Sequence, residues 1–233
     1  MHLHDGPQGA ANDNLLVTCW PSALTVVQTW DRNAMFEFGA GMGKEQYAKG
    51  STVMLGPGVN LARVPWNGRN FEYQGEDPFL AYHMVFAETF GIQSQNISGC
   101  VKHFVFNSEE NDRSGMSSNV NDRPAKELYY QAFQGAVDAG VGSAMCSYNR
   151  VNGTWACEEP LSLGTLKTTM GFDGYVMSDW GATHSTIPAA LGGLDQQMPD
   201  SSYFGAALAA AVANGSVPMS RIDDMVTRML VPM

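Results

Sequence analysis

The sequence has no long apolar run and no basic cluster. Nothing in its 233 residues reaches the roughly 18 consecutive apolar residues that a membrane-crossing helix requires. Lys and Arg number 13 against 23 Asp and Glu, a net charge of −10, and the few cations are scattered. Nucleic acids and anionic membranes are held by clustered Lys and Arg, so neither is an expected partner. Heptads, internal repeats and low-complexity tracts are absent too, which excludes coiled coils and solenoids. The opening "MHLHDGPQGAAND" lacks the charged and apolar regions of a secretion signal, so the protein is either cytosolic or has a signal upstream. Cysteine is scarce: Cys19, Cys100, Cys146 and Cys157 are the four. The last two bracket "CSYNRVNGTWAC", and their spacing leaves open a short-loop disulfide or two reduced, buried thiols. Asn96, Asn152 and Asn214 each begin an Asn-X-Ser/Thr triplet. Such triplets also arise by chance, but with the cysteine pair they favour a secreted glycoprotein.

What is present is ordinary globular material, 44% hydrophobic and 15% charged. Short apolar runs alternate with helical patterns. Ser51–Leu61, breaking at Gly56-Pro57-Gly58, reads as a strand, as do Ile97–Phe106, Val141–Asn149 and the "GYVMSDW" stretch. Helical spacing runs over Thr25–Lys49, over Pro78–Gln93 after an Asp77 cap, over Pro124–Ala139 and over Ser220–Met233, which opens on a serine cap. Strand–helix alternation predicts a parallel sheet with helical crossovers. The expected fold is an α/β (β/α)8 TIM-type barrel forming one domain over residues 1–233. An open doubly wound sheet is the alternative, but "GPGVNLAR" lacks the form of a phosphate loop.

In such a barrel the C-terminal strand ends build the site. Asp5, Arg69, Lys102, His103, Tyr148 and Asp179 occupy inferred strand ends, and Trp180 follows the last of them. Carboxylates, cations and an imidazole hydrogen-bond sugar hydroxyls, and aromatic rings pack on sugar C–H faces. A carboxylate such as Asp179 can also attack an anomeric carbon. Each residue has a plainer role available. A strand-end Asp often caps a helix, Arg69 can pair with Glu72 or Glu76, His103 can be a core histidine, and Tyr148 and Trp180 can be core aromatics.

The motifs "DGPQG", "TWD", "LGPGVNLAR", "GRNFEYQGEDP", "KHF", "MCSYNRVNG", "GFDGYVMSDWGATHS" and "RIDDMVTRML" occur in this order along nearly the whole chain. Together they resemble the N-terminal catalytic domain of glycoside hydrolase family 3, the β-glucosidase family. The resemblance implies that Asp179 is the nucleophile of a retaining mechanism, through a covalent glycosyl-enzyme and without metal or organic cofactor. It implies that Asp5, Arg69, Lys102 and His103 hold the terminal sugar, with Met145, Tyr148 and Trp180 lining its pocket. It also implies a Cys146–Cys157 disulfide, and a β-glucoside or short β-gluco-oligosaccharide as substrate. The family places an arginine after its "DGP" motif, where this chain has Ala10–Asn14. The family acid/base carboxylate usually comes from a later α/β-sandwich domain. The chain therefore reads as a fragment, incomplete at the N-terminus and without that second domain, with the acid/base outside it. Glu109 and Glu110 are the internal candidates only if the chain proves to hold an acid/base of its own, and otherwise read as a solvated acidic loop. Two rival readings remain: a sugar-binding remnant without turnover, and a metal-dependent amidohydrolase built on His2-Leu3-His4. The residue order, with His184 after Asp179, speaks against the second.

Overall fold

The computed structural model describes residues 1–11 and 16–232. Residues 12–14 of the stretch standing where the family has its arginine lie outside the described residues, as does Met233 at the end of the last expected helix. The chain groups into two compact units.

The first unit comprises Met1–Lys102, Ser108–Asn111 and Asn121–Val141. Its elements are β1 (Leu3–Asp5), α1 (Ala23–Val27), α2 (Arg32–Ala48), β2 (Val53–Leu55), α3 (Pro78–Gln93), β3 (Ser98–Phe104, as far as Lys102), α4 (Asp122–Pro124) and α5 (Tyr130–Asp138). β1 pairs in parallel with β2, Asp5 opposite Leu55, and β2 pairs in parallel with β3, Val53 opposite Ser98. All three residues of β2 are buried, as in a parallel strand covered on both faces. The helical pattern over Thr25–Lys49 is two helices rather than one. Trp30 takes a positive φ of 57°, and the Asp31 carboxylate then accepts the N–H groups of Asn33 and Ala34, restarting the helix as α2. α3 has the expected limits, with Asp77 accepting from Phe79 and Leu80 and Pro78 in the first turn. Met35, Phe38 and Met42 of α2 pack with Met54, Met84 and Ile92 as one core cluster. Gly91 lets the two helices approach at backbone distance, since a Cβ there would lie 2.2 Å from the Phe36 carbonyl oxygen. The helix expected over Pro124–Ala139 is instead α4, a π-helical turn over Ala125–Tyr129, and α5.

The second unit comprises His103–Asn107, Asp112–Val120 and Gly142–Met233. It contains β4 (Ser117–Ser118), β5 (Ser143–Cys146), β6 (Arg150–Val151), β7 (Thr154–Trp155), α6 (Pro160–Gly164), β8 (Tyr175–Ser178), α7 (Ile187–Gly192), α8 (Ala206–Ala213) and α9 (Met219–Leu230). β5 and β8 are buried parallel partners, with Met145 opposite Met177 and Cys146 opposite Ser178. β6 and β7 form a hairpin whose turn, Asn152-Gly153, has φ of 49° and 93°. Positive φ at both positions is what a two-residue hairpin turn demands. Asp195 ties three elements together. It accepts from Lys167 at 2.7 Å, from Arg221 of α9 at 2.6 Å and from the Val176 N–H of β8 at 2.8 Å. α9 begins one residue before the expected Ser220 cap. Pro218, in extended conformation, holds the capping position, and Ser220 lies within the first turn.

The strands that alternate with long helical crossovers pair in parallel, which is the α/β fold of the (β/α) TIM-type barrel class. Among the described residues no helix is long and apolar enough to cross a membrane.

Candidate active site

In the first unit, β1 delivers Asp5, β3 delivers Lys102, and a single 3₁₀ turn over Asn70–Glu72 follows Arg69. These side chains meet. Arg69 donates from Nε and Nη2 to the two carboxylate oxygens of Glu72, at 2.9 and 2.7 Å. Lys102 Nζ lies 3.4 Å from Glu72 Oε1 and 3.6 Å from Asp5 Oδ1. Lys102 and Glu72 are buried, whereas the Asp5 side chain is half exposed. Burial by itself disfavours the Glu72 charge. The nearby Lys102 and the hydrogen bonds from Arg69 outweigh it and hold the carboxyl below its ordinary range. Burial likewise opposes the Arg69 charge, and Glu72 more than compensates, raising the guanidinium pKa. Gly58 makes the room for this pair, because a Cβ there would sit 3.1 Å from Glu72 Cγ. A cavity of about 470 Å³ opens on the group, lined among others by Asp5, Cys19, Arg69, Phe71, Glu72 and Lys102. So Arg69 does pair with Glu72, the plainer role foreseen for it, and it lines a cavity as well.

In the second unit, β8 runs fully buried into Asp179, which is 8% exposed. The Asp179 N–H donates to the Cys146 carbonyl at 3.1 Å, and its Oδ1 accepts the Trp180 N–H at 2.8 Å. Its Oδ2 lies 3.6 Å from Nε2 of the buried His103. The Tyr148 hydroxyl donates to the Trp180 carbonyl at 3.1 Å, and the Arg113 guanidinium stacks 4.4 Å over the Tyr148 ring. Trp180 itself is 40% exposed. Met145 is buried on β5. Cys146 and Cys157 are joined by a disulfide that closes the loop carrying the β6–β7 hairpin.

The structure thus gathers Asp5, Arg69 and Lys102 in one unit, and His103, Tyr148, Asp179 and Trp180 in the other. Asn96, Asn152 and Asn214 are all exposed. Glu109 and Glu110 are half-buried, and Glu109 accepts the Asn111 N–H at 3.0 Å. His184 stacks on Trp155, with ring centroids 3.8 Å apart. Among the described residues, no three His, Cys, Asp or Glu side chains gather as a metal site. Sequence reasoning passed over Phe71, Cys19 and Arg113 and took Glu72 only as a partner for Arg69. Glu72 sits inside the "GRNFE" motif, which was its one visible signal.

Residues 4–231 match the family profile described as glycosyl hydrolase family 3 N terminal domain. Probable beta-glucosidase L of Aspergillus terreus is 46% identical over 98% of this chain. A beta-glucosidase structure from Chaetomella raphigera superposes with a TM-score of 0.95 at 41% identity, covering 99% of this chain. DesR, a beta-glucosidase from Streptomyces venezuelae solved in complex with D-glucose, superposes with a TM-score of 0.95 at 34% identity, also over 99%. The chain spans about a third of each: 32% of the Aspergillus protein, 33% of the Chaetomella chain and 31% of the Streptomyces chain.

Proposed function

The chain belongs to glycosyl hydrolase family 3, and from this premise we propose that it is the nucleophile-bearing catalytic domain of a retaining, exo-acting β-glucosidase. The observation that carries the reading is Asp179. A fully buried strand ends in a carboxylate whose backbone is pinned to β5 and whose oxygens face a backbone N–H and a buried imidazole. A nucleophile needs such fixed geometry, because misplacement is costly in a displacement reaction.

In the proposed reaction an Asp179 oxygen bonds to the anomeric carbon as the glycosidic C–O bond breaks. The departing oxygen takes a proton from a general acid. Water then attacks the anomeric carbon, gives its proton back to the same group, and releases the sugar and the free carboxylate. Asp5, Arg69, Lys102 and His103 are assigned to the hydroxyls of a terminal β-D-glucosyl unit, with Met145, Tyr148 and Trp180 as pocket walls. The proton donor is assigned to the part of a full-length relative that this chain does not match, since two thirds of each relative lies outside the match. A secretory route is proposed as well, supported by the disulfide and by three exposed sequons.

The test is trapping. An activated 2-deoxy-2-fluoro-β-glucoside incubated with the chain should leave one sugar on the peptide holding Asp179, read by mass analysis, and Asp179→Ala should leave none. An adduct on another residue overturns the assignment. Glucose binding by calorimetry with no adduct at all favours the sugar-binding remnant.

A further inference from the structure

A cavity that presents a guanidinium and an ammonium is by default an anion site. The arginine fork matches carboxylate or phosphate bidentately, and lysine adds a point charge. Glu72 cancels that default in the first unit. Its carboxylate takes the Nε and Nη2 edge of Arg69, at 2.9 and 2.7 Å, and lies 3.4 Å from Lys102 Nζ. With 7% of the residue exposed, this counter-charge is part of the packed fold. Asp5, 3.6 Å from Lys102, supplies a second negative charge, so two carboxylates face two cations around the cavity.

We propose that Glu72 is a specificity-determining residue, the fixed counter-charge that makes this cavity accept a neutral sugar and refuse an anionic one. An acidic sugar, a uronic acid or a sugar phosphate, meets two carboxylates and finds the bidentate edge of Arg69 already occupied. A neutral hydroxyl meets no such penalty. It accepts from a cation and donates to a carboxylate in the same contact. The choice of sugar rests on the proposed function, whereas the charge balance does not.

The experiment is calorimetric titration of the chain with D-glucose, D-glucuronate and inorganic phosphate. The wild-type chain should bind glucuronate at least about ten-fold more weakly than glucose, the size expected for one like charge at close range, and should take no phosphate. Glu72→Gln should lose or reverse that preference and gain phosphate binding that weakens with added salt. Glu72→Asp, which keeps the charge, should retain the wild-type order. A folded Glu72→Gln chain with unchanged preference overturns the proposal, and so does a wild-type chain that binds glucuronate as tightly as glucose. If Glu72→Gln does not fold, the wild-type and Glu72→Asp titrations decide by the same comparison. A wild-type chain that binds no sugar counts against the proposed function alone. Phosphate then decides the charge assignment: refusal by the wild-type chain supports it, and uptake overturns it.

Discussion

Glu88 lies on α3 with none of its surface exposed, and accepts a hydrogen bond from Gln74 Nε2 at 2.6 Å. Its other oxygen has no hydrogen-bond partner. Burial pushes the carboxyl pKa up from 4.5 to about 8, against the smaller lowering from Gln74. The native state therefore holds a proton that the unfolded chain releases near 4.5, and releases its own only near 8. Stability is full below that window and falls as pH rises through it, by on the order of 4 kcal/mol at the upper limit. Glu88→Gln, which puts a neutral amide in the same place, should flatten the dependence. Denaturant midpoints measured from about pH 5 to pH 9 should fall for the wild-type chain and stay level for the variant, and parallel profiles would remove Glu88 from the account. Nothing in the sequence singles Glu88 out, because its burial arises where α2 and α3 meet, at Gly39 and Gly91. Asp179, Lys102 and His103 were visible because each is a reactive type at the end of an apolar run. Glu72 was visible only through the "GRNFE" motif, as a neighbour of Arg69. Its second cation, Lys102, comes from β3, where a bridge to Gly58 sets it beside Glu72, a long-range placement that no local pattern encodes.

At the scale of elements, the disulfide acts on the strand that holds the candidate nucleophile. Cys146 ends β5, its carbonyl accepts the Asp179 N–H, and its sulfur is bonded to Cys157 beyond the β6–β7 hairpin, 11 residues on. Closing a loop of that size removes unfolded-state entropy worth about 3 kcal/mol. Reduction, or a paired Cys146→Ser and Cys157→Ser change, should lower the unfolding free energy by about that amount and slow sugar trapping at Asp179. Urea melts with and without reductant check the first part, and trapping rates the second; unchanged melts would mean the hairpin holds this end of β5 unaided. The hairpin had a readable turn, Asn152-Gly153, but two-residue strands are too short to show alternation. α3 was legible to the residue because a capping aspartate and a first-turn proline mark its start. The break between α1 and α2 was not, since apolar spacing continues across Trp30 while a backbone turn at positive φ interrupts the helix.

For the whole molecule, the alternation of apolar runs with helical patterns was enough to give the barrel class, because parallel strands require crossovers and crossovers of this length are helices. The grouping into two units was not legible. It divides β3 after Lys102 and returns Ser108–Asn111 and Asn121–Val141 to the first unit, a partition set by packing rather than by any linker composition. The proposed function also divides the chemical labour between this chain and the part of its relatives that it does not match. A retaining glycosidase uses two carboxyl groups roughly 5–5.5 Å apart, and general acid–base help is worth about 10²–10⁴-fold. If, as proposed, the chain supplies only the attacking carboxylate, cleavage should depend steeply on the leaving group. The dinitrophenolate of a dinitrophenyl β-glucoside departs without a proton, so this substrate should be cleaved, with the glycosyl-enzyme accumulating because its hydrolysis lacks a base. A small nucleophile that needs no deprotonation, such as azide, should then discharge the intermediate as a β-glycosyl azide and raise turnover. Cellobiose, whose leaving alkoxide needs protonation, should be left nearly untouched. Rates across a series of aryl glucosides would measure the slope against leaving-group pKa. A shallow slope together with brisk cellobiose hydrolysis would place an acid within this chain, and Glu109 and Glu110, half-buried in the loop after His103, would be the carboxyls to replace first.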